Sequence, residues 1–333
     1  MKHAFIGAAL GAAAMLASTA ASAEEIVAKF STHWGPQHPA SVQAIKYIDR
    51  VNEKLKGKLK IEVFPAGQLF GIREIMGALA SGAVEMGAVV GIVSFPPINR
   101  NYNVTAFPGY FSSFENQRDF FENDPVGNEV WKDILTRTRT TVLAYNPVGP
   151  AAIYSTKAEL PTVELLAGLN ARVLTNADRA RWDALDVGKM VSMPTREVYT
   201  GLQNGTIDTV STVPGAIKAY SWWEYLKSAQ LPWISFADAY IMTNTAWFEG
   251  LPADIQKVLL EEGAILSQEL TSDIMSASDA VHEEFRAMGG TVSTLTGAEL
   301  DKLRKLEADK VAPALSEEVD EDVFEALKKF SGS

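Results

Sequence analysis

One arginine in a short apolar run, Arg172 within Asn170 to Leu174, is the side chain best suited in this sequence to hold an anion. A guanidinium is a planar fork that grips a carboxylate through two parallel hydrogen bonds, supplying orientation together with charge. An arginine on a strand also serves as a structural ion pair, and the pattern alone leaves the two roles equal. Ser211, Thr212 and Tyr154 carry hydroxyls that could add neutral hydrogen bonds. Trp34, in a Gly-Pro loop behind the first strand, and Phe107, in the proline-broken stretch 92–108, are candidate aromatic walls. Phe95, Tyr102, Trp182 and the pair Trp222-Trp223 lie in segments of the same kind. Arg179, Arg181 and Arg196 fall on helical stretches and read as surface charges.

Covalent chemistry finds little support. The chain has no Gly-x-Ser-x-Gly elbow, phosphate-binding glycine loop, dinucleotide fingerprint, His-Glu-x-x-His pair or cysteine. His33 and His38 stand five apart in one loop, without a helix to align them or a neighbouring carboxylate, which argues against a metal site. The acidic pairs Glu261-Glu262, Glu283-Glu284 and Glu317-Glu318 read as solvated faces of amphipathic helices.

The elements around Arg172 are alternating. Asn170 to Leu174 is followed by a helix with Asn176 as its N-cap, and Lys189 to Met193 forms a second strand. Pro194-Thr195 opens another helix that Gly205 closes, and Ile207 to Val213 is strand-like again. Such alternation implies parallel pairing and right-handed crossovers, with ligands collecting at the carboxyl ends of the strands. Upstream, strands at 25–32, 59–63 and 85–90 alternate with helices at about 40–55 and 71–81. Helices over about 115–121 and 125–138 then lead to a strand at 140–145. Asn146-Pro147-Val148-Gly149-Pro150 separates two such α/β patterns and is the leading hinge, with a second crossing expected near Val213-Pro214-Gly215. Ordinary turns within one sheet are the alternative. From Pro252 to Phe285, apolar residues recur at helical spacing over about 35 residues, or roughly 50 Å of helix. Either two helices meet at a bend near Gly263 or Ser276, or one long helix runs through. Helices near 296–310 and 317–330 close the chain, which shows no internal repeats.

Composition narrows the setting. Lys2, the apolar run Ala4 to Leu16 and Ala21-Ser22-Ala23 make a removable export signal over 1–23, with the mature chain beginning at Glu24. Its apolar core is too short for a membrane span. The remaining length suffices for two domains with sizeable cores, given 47% apolar residues. Exported yet free of cysteine, the chain relies on those cores rather than on disulfides. A formal charge of -11 makes nucleic acid an unsuitable partner and requires any anion to be drawn by a local positive site.

Gly168-Leu169-Asn170-Ala171-Arg172-Val173, together with Met193-Pro194-Thr195-Arg196-Glu197-Val198-Tyr199-Thr200-Gly201-Leu202-Gln203-Asn204-Gly205-Thr206-Ile207-Asp208, resembles the solute receptors of TRAP transporters, the DctP-like family. Phe64-Pro65-Ala66-Gly67-Gln68-Leu69 and Ser81-Gly82-Ala83-Val84-Glu85-Met86 extend the likeness. The resemblance implies an α/β, two-lobed periplasmic-binding-protein fold with a hinge and a long C-terminal helix spanning both lobes. One lobe would comprise 24–146 with about 214–250, the other 147–213 with about 251–333. It further implies a periplasmic receptor, without cofactor, that captures a small organic acid on Arg172 and hands it to TRAP membrane permease subunits driven by an ion gradient. Two departures shape the expected ligand. Ala151, Ala152 and Ile153 stand where many members carry a second arginine, which favours a monocarboxylate. Ser211 and Thr212 stand where many carry Asn or a glutamate, which weakens a metal-bridged mode. An ABC-type receptor is the first rival, disfavoured by the long helix and the Glu197–Asp208 segment. A periplasmic enzyme and a ligand-free sensor are the others.

Overall fold

The computed structural model describes residues 24–332, so the expected export signal at 1–23 lies outside the described residues. Eleven strands form two sheets. The first holds β1 (Ile26–Ser31), β2 (Leu59–Phe64), β3 (Met86–Val90), β4 (Thr140–Tyr145) and β10 (Ala239–Asn244), in the order β2-β1-β3-β10-β4. The second holds β5 (Gly149–Ser155), β6 (Asn170–Val173), β7 (Lys189–Ser192), β8 (Thr209–Thr212), β9 (Ser228–Ala237) and β11 (Thr291–Thr294), in the order β11-β9-β5-β8-β6-β7. The strand–helix–strand run read from 168 to 213 pairs in parallel, β6 with β7 and with β8, as alternation demands. The helix between β6 and β7 spans Asn176–Ala184, and its N-cap is Thr175 rather than Asn176. Thr175 and Asp178 form a reciprocal capping box there.

The chain passes from one sheet to the other at three places, the last of them along the helical stretch between β10 and β11. Between β4 and β5 it runs through Asn146 to Val148, where the first hinge was expected, and Gly149 there takes a φ of 140°, open to glycine. The second passage lies at Asp238, between β9 and β10, and not at 213–215. The strand 228–237, grouped with the first lobe on sequence, hydrogen-bonds along β5 in the second sheet. Likewise the last helix, Glu321–Ser331, packs on the side of the first sheet, with Phe324 against Phe107 and Phe330 against Phe120. Both differences come from long-range pairing, which local periodicity does not encode.

One uninterrupted helix covers Ala253–Ala287, resolving the choice between one helix and two. It touches both sheets. The Ser267 hydroxyl accepts the Tyr145 amide of β4 at 2.9 Å, and His282 Nε2 shares a 2.7 Å hydrogen bond with the Tyr154 hydroxyl of β5. No helix among the described residues is long and apolar enough to cross a membrane.

Glu262 departs from the solvated-face reading. Its buried carboxylate meets Arg50 Nε at 2.6 Å and Lys54 Nζ at 2.5 Å, tying the long helix to the helix Pro39–Lys54. Burial pushes its pKa up, but the bonds from Lys54 and Arg50 prevail and hold it below the usual carboxylate value. Its stabilisation is therefore present above the unfolded pKa and is lost as pH falls through the folded one. Glu262→Gln is expected to cost about 1–2 kcal/mol at neutral pH, less than a fully buried pair because both cations reach water. Urea denaturation checks this, and an unchanged midpoint would show the pair to be idle.

Candidate functional site

A cavity with about 940 Å³ of unfilled space, part of it open to solvent, lies where the two sheets face each other. Its walls come from the carboxyl ends of strands, as expected of parallel α/β sheets. His33 and Trp34 follow β1, Val90 ends β3, Arg172 sits on β6, and Ser211 and Thr212 end β8. Arg172, Trp34, Ser211 and Thr212 are thus brought together as the sequence suggested.

Arg172 is 3% exposed. Its Nε donates to the Met193 carbonyl at 3.1 Å and its Nη2 to Thr195 Oγ1 at 3.2 Å, so the loop after β7 holds the guanidinium in place. The guanidinium also lies 5.9 Å from the ring of Trp222. Among the described residues no carboxylate forms a salt bridge with it. The structural ion-pair role is therefore not the one it fills. Burial lowers its pKa to about 10, Arg73 adds to this, and Asp178 and Tyr220 oppose it. The side chain remains a cation at neutral pH.

Opposite runs an arc of rings. His33 tilts against Trp34 at 4.4 Å, Trp34 stacks on His38 at 5.3 Å, His38 meets Tyr220 at 5.8 Å, and Tyr220 stacks on Trp222 at 5.4 Å. The His38 Nδ1 accepts the Ala40 amide at 3.2 Å and caps the helix that Pro39 begins. Burial lowers the pKa of His33 and of His38 to about 3, with His38 adding to the effect on His33, so both are neutral walls. Several polar atoms around the cavity are buried without a hydrogen-bond partner among the described residues: His33 Nδ1, Trp222 Nε1, and Arg181 Nε and Nη2. Such groups are costly when left without a partner.

Two expected site residues lie elsewhere. Tyr154 is fully buried, its hydroxyl taken by His282 of the long helix, and Ala151 of the same strand reaches the cavity instead. Phe107 packs between Tyr110 and Phe324 in the core of the first lobe. Conversely, three cavity residues were undervalued. His33 and His38 were weighed only as metal ligands. Arg181, read as a surface charge, is 2% exposed and lines the cavity. A signal for it existed, since Ala177, Arg181 and Ala184 share one helix face at i, i+4 and i+7, and all three are buried. Among the described residues no group of three or more His, Asp or Glu side chains is placed to hold a metal ion.

A buried cation between two α/β layers, walled by aromatic rings, defines a two-lobed receptor for a small anion. The chain belongs to the DctP family, the bacterial extracellular solute-binding proteins of family 7, whose sequence model it matches over residues 30–317. It is 27% identical over 278 residues to the C4-dicarboxylate-binding periplasmic protein DctP of Vibrio cholerae, covering 82% of this chain and 81% of that one. Its fold superposes on the sugar acid binding protein DctPAm of Advenella mimigardefordensis, in complex with galactonate, with a TM-score of 0.83 at 17% identity over 93% and 98% of the two chains. DctP7 of Bordetella pertussis, a receptor binding pyroglutamic acid, gives 0.81 at 17% identity over 92% and 99%.

Proposed function

We propose that this protein is a periplasmic receptor that binds a small organic acid through Arg172 and delivers it to the membrane subunits of a TRAP-type transporter. The observation that supports this best is the buried guanidinium of Arg172, held by Met193 and Thr195 yet joined to no carboxylate. A ligand carboxylate supplies the missing counter-charge, and the aromatic arc from Trp34 to Trp222 covers its carbon body. Of the proteins named above, the Vibrio cholerae DctP is periplasmic and the Bordetella pertussis DctP7 is extracytoplasmic, all three bind organic acids, and the export signal expected at 1–23 accords with that location.

In this reading one lobe is built on the first sheet and the other on the second, with Asn146–Val148, Asp238 and the long helix Ala253–Ala287 as the connecting segments. Closing the lobes excludes water from the carboxylate–Arg172 pair and strengthens it, so affinity resides in contacts made only in the closed form. The ABC-type alternative loses ground to the family match, and the cavity lining shows no activated nucleophile to favour an enzyme.

The test is thermal denaturation against a panel of carboxylic acids, with Arg172→Met in parallel. One or more acids should raise the melting point of the parent protein. Loss of the guanidinium is expected to weaken binding by about 2–5 kcal/mol, which abolishes the shift at millimolar ligand. An equal shift in the folded variant would remove Arg172 from the site.

A further inference from the structure

A hydrogen bond joins the two sides of the cavity at its rim. The loop after β2 carries Gly71 to Glu74, and Ile72 of that loop lines the cavity. Leu174, which follows β6 in the other sheet, lines it from the facing side. Arg73 Nη2 bridges the two by donating to the Leu174 carbonyl at 2.9 Å. A groove at the same place is lined by Gly71 to Glu74 on one side and by Ser192, Pro194 and Arg196 on the other, so the bond crosses the seam between the halves. Ile72 and Leu174, rather than Arg73, form the cavity wall at this point.

Both partners are held by ordered elements of different sheets. Glu74 accepts the Gly71 amide at 2.5 Å, which fixes the loop just ahead of the helix Ile75–Ser81. On the facing side Asp178 accepts the Leu174 amide at 3.0 Å, and Trp182 Nε1 donates to the Arg172 carbonyl at 2.6 Å, which pins the end of β6. Among the described residues no carboxylate forms a salt bridge with Arg73. Contacts beside the passages between sheets are of another kind. Asn146 Nδ2 donates to the Ala40 carbonyl at 3.3 Å, and Phe114 meets Phe236, two residues before Asp238, at 5.0 Å. Those residues lie in or next to the segments about which the halves would turn. Arg73 and Leu174 belong to no connecting segment, so their bond exists only while the halves stand close.

We propose that Arg73 is a positioning residue that latches the receptor closed: its bond to the Leu174 carbonyl seals the rim beside Ile72 and sets how slowly a bound anion escapes. This rests on the anion-receptor reading above and adds to it a kinetic determinant that touches no ligand. A contact made only in the closed form acts on dissociation, whereas a charge standing at the rim acts on association. The two roles are therefore separable by rate.

The experiment is stopped-flow fluorescence of the whole mature chain, read from Trp34 and Trp222 in the cavity wall, with succinate, pyroglutamate and galactonate as probes. Arg73→Met is expected to release each bound acid about tenfold faster, with association within about twofold of the parent. Arg73→Lys keeps a charged donor and should recover part of the difference. Arg196→Met is the control. Arg196 stands on the same rim, but its ion pair is with the adjacent Glu197 at 3.6 Å, so its loss should leave release unchanged. Arg73 is exposed, and the ligand-free melting point should be the same in Arg73→Met as in the parent. The inference is overturned if Arg73→Met slows association and leaves release as it was, which would make Arg73 a steering charge. It is equally overturned if Arg196→Met speeds release as much, or if Arg73→Met lowers the ligand-free melting point without changing release. Each of these outcomes leaves the receptor reading intact. Silence from every acid in the parent, in fluorescence and in melting point, would remove both.

Discussion

Lowering the pH from about 7 to about 4.5 is expected to remove roughly 3 kcal/mol of stability from the ligand-free protein through His33, His38 and Asp238 alone. Each histidine titrates near 6.5 when unfolded and at about 3 in the fold, where burial keeps the ring neutral. Their contribution is therefore complete above 6.5 and is lost as pH falls towards the folded value, at about 2.5 kcal/mol each by pH 4.5. Asp238 acts in the opposite sense. Burial raises its carboxyl from 3.8 to about 6 against the bonds from Tyr102 and Tyr240, so the fold takes up that proton first and regains about 2 kcal/mol. His282, lowered to about 4 by burial and by Arg286, adds to the loss. Protonating His38 also destroys the Nδ1 acceptor that caps the first helix. Urea denaturation at stepped pH measures the effect, and His38→Asn, which keeps a cap acceptor without a titrating ring, should flatten the profile. Stability that stays level down to pH 4.5 would refute this account.

Gly263→Ala is expected to destabilise the protein by about 3 kcal/mol or more, although alanine favours a helix by about 1 kcal/mol over glycine. A Cβ built on Gly263 would stand 1.9 Å from the Leu143 carbonyl oxygen and 2.8 Å from its carbon. These are backbone atoms of β4, so the clash is relieved only by lifting the long helix off the first sheet. That movement would also strain the Ser267 hydrogen bond to Tyr145 one turn further on. Gly77, in the helix Ile75–Ser81 with open space around it, is the matched control, and Gly77→Ala should be neutral or stabilising. Equal effects of the two substitutions in thermal denaturation would dismiss close approach as the reason for Gly263. The same position explains why a glycine that reads as a bend does not make one. It lets the helix touch the sheet, and the helix continues through it.

Periodicity and turn chemistry were enough to place the parallel β6–β7–β8 unit, the first helix, the pair over 114–138 and the first passage between sheets. Each of these depends on spacing within some twenty residues, which a local pattern records. Arg172 was legible for the same reason: a lone cation inside a short apolar strand conflicts with its surroundings unless it has a task. Other features depended on which residues meet across the fold. Tyr154 and Phe107 have side chains suited to a pocket, but strand orientation and aromatic packing turn them into core.

The amino-acid order alone therefore determined the element sequence, the alternation that makes the sheets parallel around β6, and the lone arginine on that strand proposed to bind the anion. Only the tertiary arrangement decided that β9 joins the second sheet, that the chain returns to the first at Asp238, and that His33, His38 and Arg181 meet Arg172 in one cavity. The division follows from range: a hydrophobic period or cap is set by neighbours in sequence, whereas burial of a charge is set by whatever distant surface closes over it.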